Sequence, residues 1–488
     1  MNLSGLKKIA APAIILLLVI TLSTLFHYPM HIADAVSGAP AAGFSVHNAP
    51  WRIALEPFIG WAFFYMRADQ PLVEICVLML WIMLLALPVA LLTRRKKPGG
   101  WRNAVKSWLV SLPDILTITI AIIVALVFFP WPENTINNHN PDQVLVNFHS
   151  HTWYSHDGLA SPQRVMQWHK RNGYQAFFLT EHNHHANTLE LVERQRRAEL
   201  AAEPLLLCGQ EYSGSNHILL LGLTRDFITK DMPDSTAMDS AQAHNGVAVI
   251  AHWFADKRRP ASYYIENGAQ GFEIANQAEG IRVEDEDFHA MVDPSRERNL
   301  LMLGGADYHG YGSVAYTWNA LHIPGWRQMD TESRRAAIMD ILRQRDHAKI
   351  TVLVYKDRES FPRRLVWLSP VFTLGGYLRS LSPIQAASWF LWMTLVWALA
   401  RQRQVRRLCA GLFSSFQRFR QYLSLAGALF TGIIGVFLWW QSRPLAEYNH
   451  ILREYGTYFV IYAVLAVIYG VVMIKKHVNS NRACNRIG

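Results

Sequence analysis

The sequence predicts an α/β domain set between two groups of apolar helices, and three observations carry that reading. Apolar runs approaching twenty residues recur near both ends of the 488-residue chain. Between them, short and uniformly apolar runs alternate with helical patterns. That polar middle, about 138 to 360, also holds fifteen of the twenty histidines. Composition agrees: 51% of residues are hydrophobic and 17% charged, against roughly 25% charged in soluble domains. Disorder and collagen are excluded, and four cysteines do not make a disulfide scaffold. Lys and Arg number 47 against 37 Asp and Glu, giving +10. The position of those cations points to a membrane rather than to nucleic acid.

Residues 1–137 are expected to carry three spanning helices at about 9–27, 72–93 and 111–130. Residues 361–488 are expected to carry a linker and three more, at about 383–400, 421–440 and 457–474. Each run is long enough for hydrocarbon roughly 30 Å thick, and helix satisfies backbone groups that lipid cannot. The first run has no convincing cleavage site after it and reads as an uncleaved span. Lys7 and Lys8 precede the first run, and Arg94, Arg95, Lys96, Lys97, Arg102 and Lys106 follow the second. Arg401, Arg403, Arg406, Arg407, Arg418 and Arg420 follow the fourth, and Lys475, Lys476, Arg482 and Arg486 the sixth. Six crossings put all four groups on the cytoplasmic side by the positive-inside rule, with both termini inside and the middle domain outside. Two stretches, 53–66 and 365–378, are too short for a crossing and read as interfacial or buried helices.

In the middle, strand-like runs fall at 144–150, 176–180, 205–209, 217–222, 247–251, 271–275 and 301–305. Most lack alternation, as parallel strands buried on both faces do. Helical patterns at 162–173 and 334–345 separate some of them, so an α/β barrel or an open α/β sheet is expected. His149, His151, His182, Glu211, His252, Asp307 and His309 stand at or just past the ends of these runs. Carboxyl ends of strands meet on one face in such folds. In an extended strand, residues two apart share a direction, so His149 with His151, and Asp307 with His309, can each close on one ion. One H-x-H is weak; two coordinating pairs at opposite ends of one domain are strong. Satisfied core histidines would not avoid the strand middles.

The segments NFHSHTWYSHDG (147–158), LTEHNH (179–184), GQEYSGSNH (209–217), VIAHW (249–253), GFEIAN (271–276) and GGADYHG (304–310) occur in order. Together they resemble the PHP family, the polymerase and histidinol phosphatase domains. The resemblance covers about 220 residues and implies a distorted seven-stranded β/α barrel that binds two or three divalent ions and hydrolyses phosphoesters. It implies His149, His151, Glu211 and Asp307 on a first ion, and Asp157, His182 and His309 on a second. His217 and His252, sharing Glu211, would hold a third. Asn147 and Glu181 depart from the family, which usually has Asp at both places, and this bears on the orientation of ligands rather than on the ligands themselves.

The nitrogen and oxygen ligand set suits Zn, Mn or Fe without choosing among them. Asp157, Glu211 and Asp307 only partly neutralise such ions, leaving a cationic centre that attracts a phosphate dianion. The expected chemistry is in-line attack on phosphorus by a metal-bridging hydroxide. His184 is a candidate for protonating the leaving alcohol, alongside a metal-bound water. Lys257, Arg258 and Arg259 are candidates for holding phosphate, against a solvated charge run. Glu273 is a strand-end acceptor or acid, and His156 and His185 are loop or supporting residues. There is no CxxC zinc site, no GxxxxGK and no Rossmann glycine pattern.

The function expected is a metal-dependent phosphoesterase at the bacterial inner membrane, its domain periplasmic or otherwise extracytoplasmic. Its partners are the lipid bilayer and a small-molecule or envelope-associated phosphoester; nucleic acid is not expected, because the cationic loops lie across the membrane from the site. A metal-dependent hydrolase of a nonphosphate bond and a noncatalytic ligand-binding or signalling membrane protein are the rival readings. The sequence does not fix the oligomeric state.

Overall fold

The computed structural model describes residues 3–68, 70–94, 100–129, 135–257, 259–278, 283–312, 314–442 and 450–484. Arg95, Lys96, Lys97, Arg258 and Arg486 lie outside them. Twelve strands are present among the described residues: β1 His31–Asp34, β2 Phe44–His47, β3 Thr135–Asn138, β4 Gln143–Asn147, β5 Ala176–His182, β6 Leu205–Ser213, β7 His217–Leu221, β8 Val247–Ile250, β9 Gly271–Asn276, β10 Leu301–Gly305, β11 Thr317–His322 and β12 Ile350–Lys356. Each of the seven apolar runs contributes a strand.

The architecture corrects the expected seven-stranded barrel. Ten strands form one open, curled sheet in the order β1-β12-β11-β4-β5-β6-β7-β8-β9-β10, and β2 pairs with β3 separately. The curl brings the residues after β4 and β10 together only at the rim, through a bridge between Ser150 and Tyr308 and an Asp307 N–H to His149 carbonyl bond of 2.9 Å. Nor is the sheet all parallel. β7 runs antiparallel to both β6 and β8, because only residues 214–216 separate β6 from β7 and a parallel return needs a crossover of a dozen residues or more.

Both faces are covered, which is why the runs do not alternate. Phe177, Leu179, Ala248 and Ile250 point into one buried cluster with Val165, Leu191, Met238 and Met291. Ala176, Phe178, Val247 and Val249 point the other way, against Ile338, Ile341 and Leu342. The first face is covered by helices Pro162–Arg171, Ala186–Arg196, Asp234–Ala243 and Asp285–Glu297, and the second by Thr331–Gln344. Capping fits the sequence: Ser161 accepts from Arg164 N and Asp330 from Ser333 N.

Four helices among the described residues are long and apolar enough to cross a membrane: Val73–Leu92, Gly100–Ala125, Tyr422–Gln441 and Leu452–Val472. The expected spans at 9–27 and 383–400 fall in helices Leu3–Leu25 and Pro383–Arg401, whose apolar described parts, Ile14–Leu25 and Pro383–Leu399, are shorter. The two doubtful stretches form short helices, Pro50–Ala54, Glu56–Gly60 and Trp61–Met66 on one side and Arg363–Leu368 and Ser369–Ser380 on the other. None approaches the roughly twenty residues that a crossing needs.

These short helices form a collar between the sheet and the apolar helices. Arg67 Nε donates to Asp357 Oδ2 at 2.8 Å, one residue past β12, and Arg358 bonds the Phe64 carbonyl. Thr373 donates to Glu74 Oε2 at 2.5 Å. Deeper in the collar, the buried Glu56 carboxylate pairs with Arg52 and accepts from Tyr377 Oη at 2.8 Å and Gln385 Nε2 at 2.9 Å. Glu56→Ala leaves Arg52 buried without its counter-charge. Unfolding of the detergent-solubilised protein is expected to show a loss of about 3–5 kcal/mol. Glu359→Ala, which removes only the exposed partner of Arg379, is expected to cost under about 1 kcal/mol.

Candidate metal centre

Each element ends where a donor is needed. β4 delivers His149 and His151 just past its last residue, β5 ends on His182, β6 carries Glu211, and β7, running the other way, begins with His217. His252 and Asp307 follow β8 and β10 by two residues and take left-handed φ of 28° and 48°, a strained choice for non-glycine residues. Backbone bonds hold both: His252 N donates to Glu273 Oε2 at 3.1 Å, and Asp307 N to the His149 carbonyl at 2.9 Å. Asp157 comes from the 152–158 turn, where Gly158 is required because a Cβ would meet the Thr152 carbonyl at 1.9 Å.

Glu211 is the hub. Its Oε2 lies 3.1 Å from both His149 Nε2 and His151 Nε2 and 3.3 Å from His182 Nδ1. Its Oε1 lies 2.7 Å from His217 Nδ1 and 3.2 Å from His252 Nε2. Asp307 Oδ1 is 3.2 Å from His149 Nε2 and 3.3 Å from His151 Nε2. Asp157 Oδ2 is 3.0 Å from His182 Nε2 and 3.2 Å from His309 Nε2. Three groups have the compactness of an ion site: His149, His151, Glu211 and Asp307; His151, Asp157, His182 and His309; and His182, Glu211 and His217. His252 stands beside the third.

The donors fit divalent ions on their own terms. His149 Nε2, His151 Nε2, His182 Nδ1, His217 Nδ1, Glu211 Oε2, Asp157 Oδ1 and Asp307 Oδ1 are buried without a hydrogen-bond partner, and all seven belong to residues of these three groups. Buried polar atoms are otherwise nearly always paired, and imidazole with carboxylate suits Zn, Mn or Fe.

The ring orientations are fixed from behind. His149 Nδ1 lies 3.0 Å from Glu273 Oε1, so its proton sits there and Nε2 turns its lone pair to the cluster. His151 Nδ1 lies 3.0 Å from Ser155 Oγ, whose own proton goes to Glu181 Oε2 at 2.6 Å. Ser155 also accepts from His182 N at 3.1 Å. The two departures noted in the sequence thus have structural work. Glu181 anchors the 152–155 turn by accepting from Thr152 N and Oγ1 as well. Asn147 accepts from Ala306 N at 2.9 Å and donates to His169 Nε2, a ring that burial holds neutral with a pKa lowered to about 3.

Burial by itself would strip the proton from His149, His151 and His252. The adjacent carboxylates reverse this, raising His151 to about 10, His252 to about 9 and His149 well above its ordinary value. Burial keeps His182 down at about 4, only partly offset by Glu211 and Asp157. Asp157, Glu211 and Asp307 are all lowered, because the imidazoles around them outweigh the burial that would raise them.

Of the other described candidates, only His156 touches the donor cluster. His184 Nε2 donates to the Tyr154 carbonyl at 3.0 Å. His185 is buried, bonded to Gln210 Oε1 and the Arg225 carbonyl. The His156 ring is tilted 45° to that of His182 at 4.6 Å, with its Nε2 3.7 Å from Asp157 Oδ2. Lys257 pairs with Asp287 at 2.6 Å, and Arg259 lies over the Tyr263 ring. Ser155 and Asn276, whose amide bonds Glu273 and Asp307, went unassigned in the sequence. A polar residue ending the buried run GFEIAN was the one signal for Asn276.

No family model matches the chain, and no curated protein matches it. Among solved structures, it is similar to a two-domain protein from Bacteroides vulgatus containing a predicted PHP-like metal-dependent phosphoesterase. Identity is 20% over 43% of this chain, with a TM-score of 0.33, and the match spans 64% of that protein's chain. It is also similar to an amidohydrolase from Chromobacterium violaceum with bound sulfate and no metal, at 16% identity over 39% of this chain and 96% of that one, with a TM-score of 0.28.

A pH profile tests the cluster. In chelator-treated protein, His151 and His252 are raised from an unfolded value near 6.5 to about 10 and about 9. Their stabilisation is complete below about 6.5 and is lost as pH rises through those values. His182, lowered to about 4, acts oppositely and costs stability as pH falls from about 6.5 toward that value. Thermal unfolding is therefore expected to give a Tm that falls from pH 7 toward 10 without metal. With Zn or Mn, which must displace those protons, the gain in Tm is expected to grow over the same range. Identical profiles with and without metal would contradict the assignment.

Proposed function

We propose that this protein is a metal-dependent phosphoesterase. Its catalytic domain, residues 138–360, is held at the periplasmic face of a bacterial inner membrane by helices in residues 1–137 and 361–488. The observation that carries the reading is the gathering, around Glu211, of buried unpaired nitrogen and oxygen atoms of His149, His151, Asp157, His182, His217 and Asp307, which come from five other chain segments. Six crossings, with the cationic segments and both termini cytoplasmic, agree with the placement of Lys and Arg.

The residues divide the work. His149, His151, Glu211 and Asp307 would hold one ion, Asp157, His182 and His309 a second, and His217 with His252 and Glu211 a third. Glu211 presents its two oxygens to different imidazoles, so it can join neighbouring ions. Glu273 and Ser155 hold the His149 and His151 rings with their lone pairs inward. When bound, two or three Zn, Mn or Fe ions would supply Lewis acidity toward phosphoryl oxygens and lower the pKa of water. His184 is our candidate for protonating the leaving alcohol. Lys257, Arg258 and Arg259 follow His252 and are our candidates for a phosphate contact; Lys257 must leave Asp287 to make one.

The full-length protein, loaded with Zn, Mn or Fe, is expected to cleave phosphomonoesters or phosphodiesters and to leave amides intact. His149→Ala and Asp307→Ala are expected to lower kcat/KM by about 100-fold or more and to lose metal measured by mass spectrometry. Glu273→Gln, acting behind His149, is expected to cost about 10–100-fold in metal affinity. Amide cleavage without phosphoester cleavage would favour the nonphosphate hydrolase. Topology is checked separately by reporters fused after residues 135 and 410, expected outside and inside respectively; a cytoplasmic signal at 135 would reverse the assigned face.

A further inference from the structure

The polarity of the sheet carries one step more. β11 runs antiparallel to both β4 and β12, so β12 points the same way as β4. The ladders pair Thr317 with Val354 and Asn319 with Val146, which places Val354 level with Phe148, one residue before His149. β1, antiparallel to β12, pairs His31 with Lys356 and so enters the sheet at that same edge. Two chain passages between the sheet and the apolar helices are therefore at the edge that bears the donor cluster. One comes in from helix Leu3–Leu25 to β1; the other leaves β12 for Arg363–Leu368.

The distances are short. β12 and β4 are separated by two strand spacings, on the order of 10 Å. Asp357, the first residue past β12, is already bonded to Arg67 of the collar at 2.8 Å. At the other passage, Tyr28 N donates to the Arg379 carbonyl at 3.0 Å. The collar in turn meets the start of the helix containing Val73–Leu92 through Thr373 and Glu74. The cluster thus lies at the sheet edge that is joined, through the collar, to the start of the apolar helices. Side chains suited to a lipid-water boundary are exposed on the collar and beside the cluster. Trp51, Phe58 and Trp367 are exposed on the collar, and Tyr311 is exposed at the rim with its ring 6.2 Å from His309.

We infer that the substrate is a phosphoester carried by a membrane lipid, whose headgroup rises from the bilayer surface into the donor cluster past Tyr311. The inference rests on the phosphoesterase reading and narrows its substrate class. A lipid headgroup and a free phosphoester share the chemistry that the cluster recognises. What separates them is that only the first is concentrated at the edge where the cluster lies.

The test uses the full chain in nanodiscs. Tyr311→Cys, on a background lacking the native cysteines, is labelled with a fluorophore and challenged with headgroup spin-labelled lipid and with aqueous iodide. The lipid quencher is expected to act several-fold more strongly; preferential quenching by iodide would overturn the inference. With the unlabelled protein, dioleoyl phosphatidate and phosphatidylglycerol in vesicles are compared with their dibutanoyl counterparts and with p-nitrophenyl phosphate. At least one vesicle ester is expected to be cleaved more than tenfold faster in kcat/KM than its short-chain form, and dilution with phosphatidylcholine is expected to slow it. Equal or faster cleavage of the short-chain esters, or cleavage of p-nitrophenyl phosphate alone, overturns the lipid inference and leaves the phosphoesterase standing. No cleavage of any phosphoester removes the phosphoesterase reading, and the lipid inference with it.

Discussion

The structure of the domain depends on one electrostatic demand: the carboxylates of Glu211 and Asp307 are buried, with Asp157 beside them, and must be matched by positive charge. Isolated charges in such surroundings would cost many kcal/mol. The imidazoles supply partners: although burial works against their charged forms, the carboxylates beside them hold His149, His151 and His252 above their ordinary pKa. Divalent ions meet the same demand more fully. That demand also explains the backbone: left-handed φ at His252 and Asp307 is tolerated because it turns those side chains onto Glu211 and Asp157's neighbours instead of along the strand.

Glu273 binds this arrangement together. It accepts from the His149 ring, the His252 backbone and the Asn276 amide, so one carboxylate orders groups from three strand ends. The space is closed around it. A Cβ at Gly305 would lie 2.1 Å from Glu273 Oε1, which makes that glycine a requirement of close packing.

Much of this was legible because position and residue type coincide. Uniform apolar runs gave seven strands, and polar residues at their ends gave the donors. Other features were hidden for physical reasons. The three-residue connection at 214–216, which forces β7 antiparallel, lies between runs that look alike from either direction. β1 is four residues, HIAD, and becomes a strand only through pairing with β12, more than 300 residues away. β11 breaks its pattern with Asn319, a buried amide satisfied by Gly304 and the Val146 carbonyl. Lys257 reads as a free cation in sequence, yet Asp287, thirty residues on, holds it. Ser155 is a lone hydroxyl with no periodicity, and its place between His151 and Glu181 exists only in three dimensions.

The collar makes the apolar-helix part of the chain more than a tether. A flexible linker would fix neither the height nor the direction of the sheet, and short helices packed on one another fix both. Arg67 and Asp357 join the end of β12 to the segment before Val73–Leu92, while Glu56 gathers Arg52, Tyr377 and Gln385 from both halves of the chain. Buried ion pairs are a weak route to stability, because desolvation offsets most of the attraction. Their strict geometry makes misaligned alternatives costly, since any slip leaves a charge unpaired. The collar therefore selects one orientation of the sheet, and that orientation sets the donor cluster on the side where the apolar helices begin.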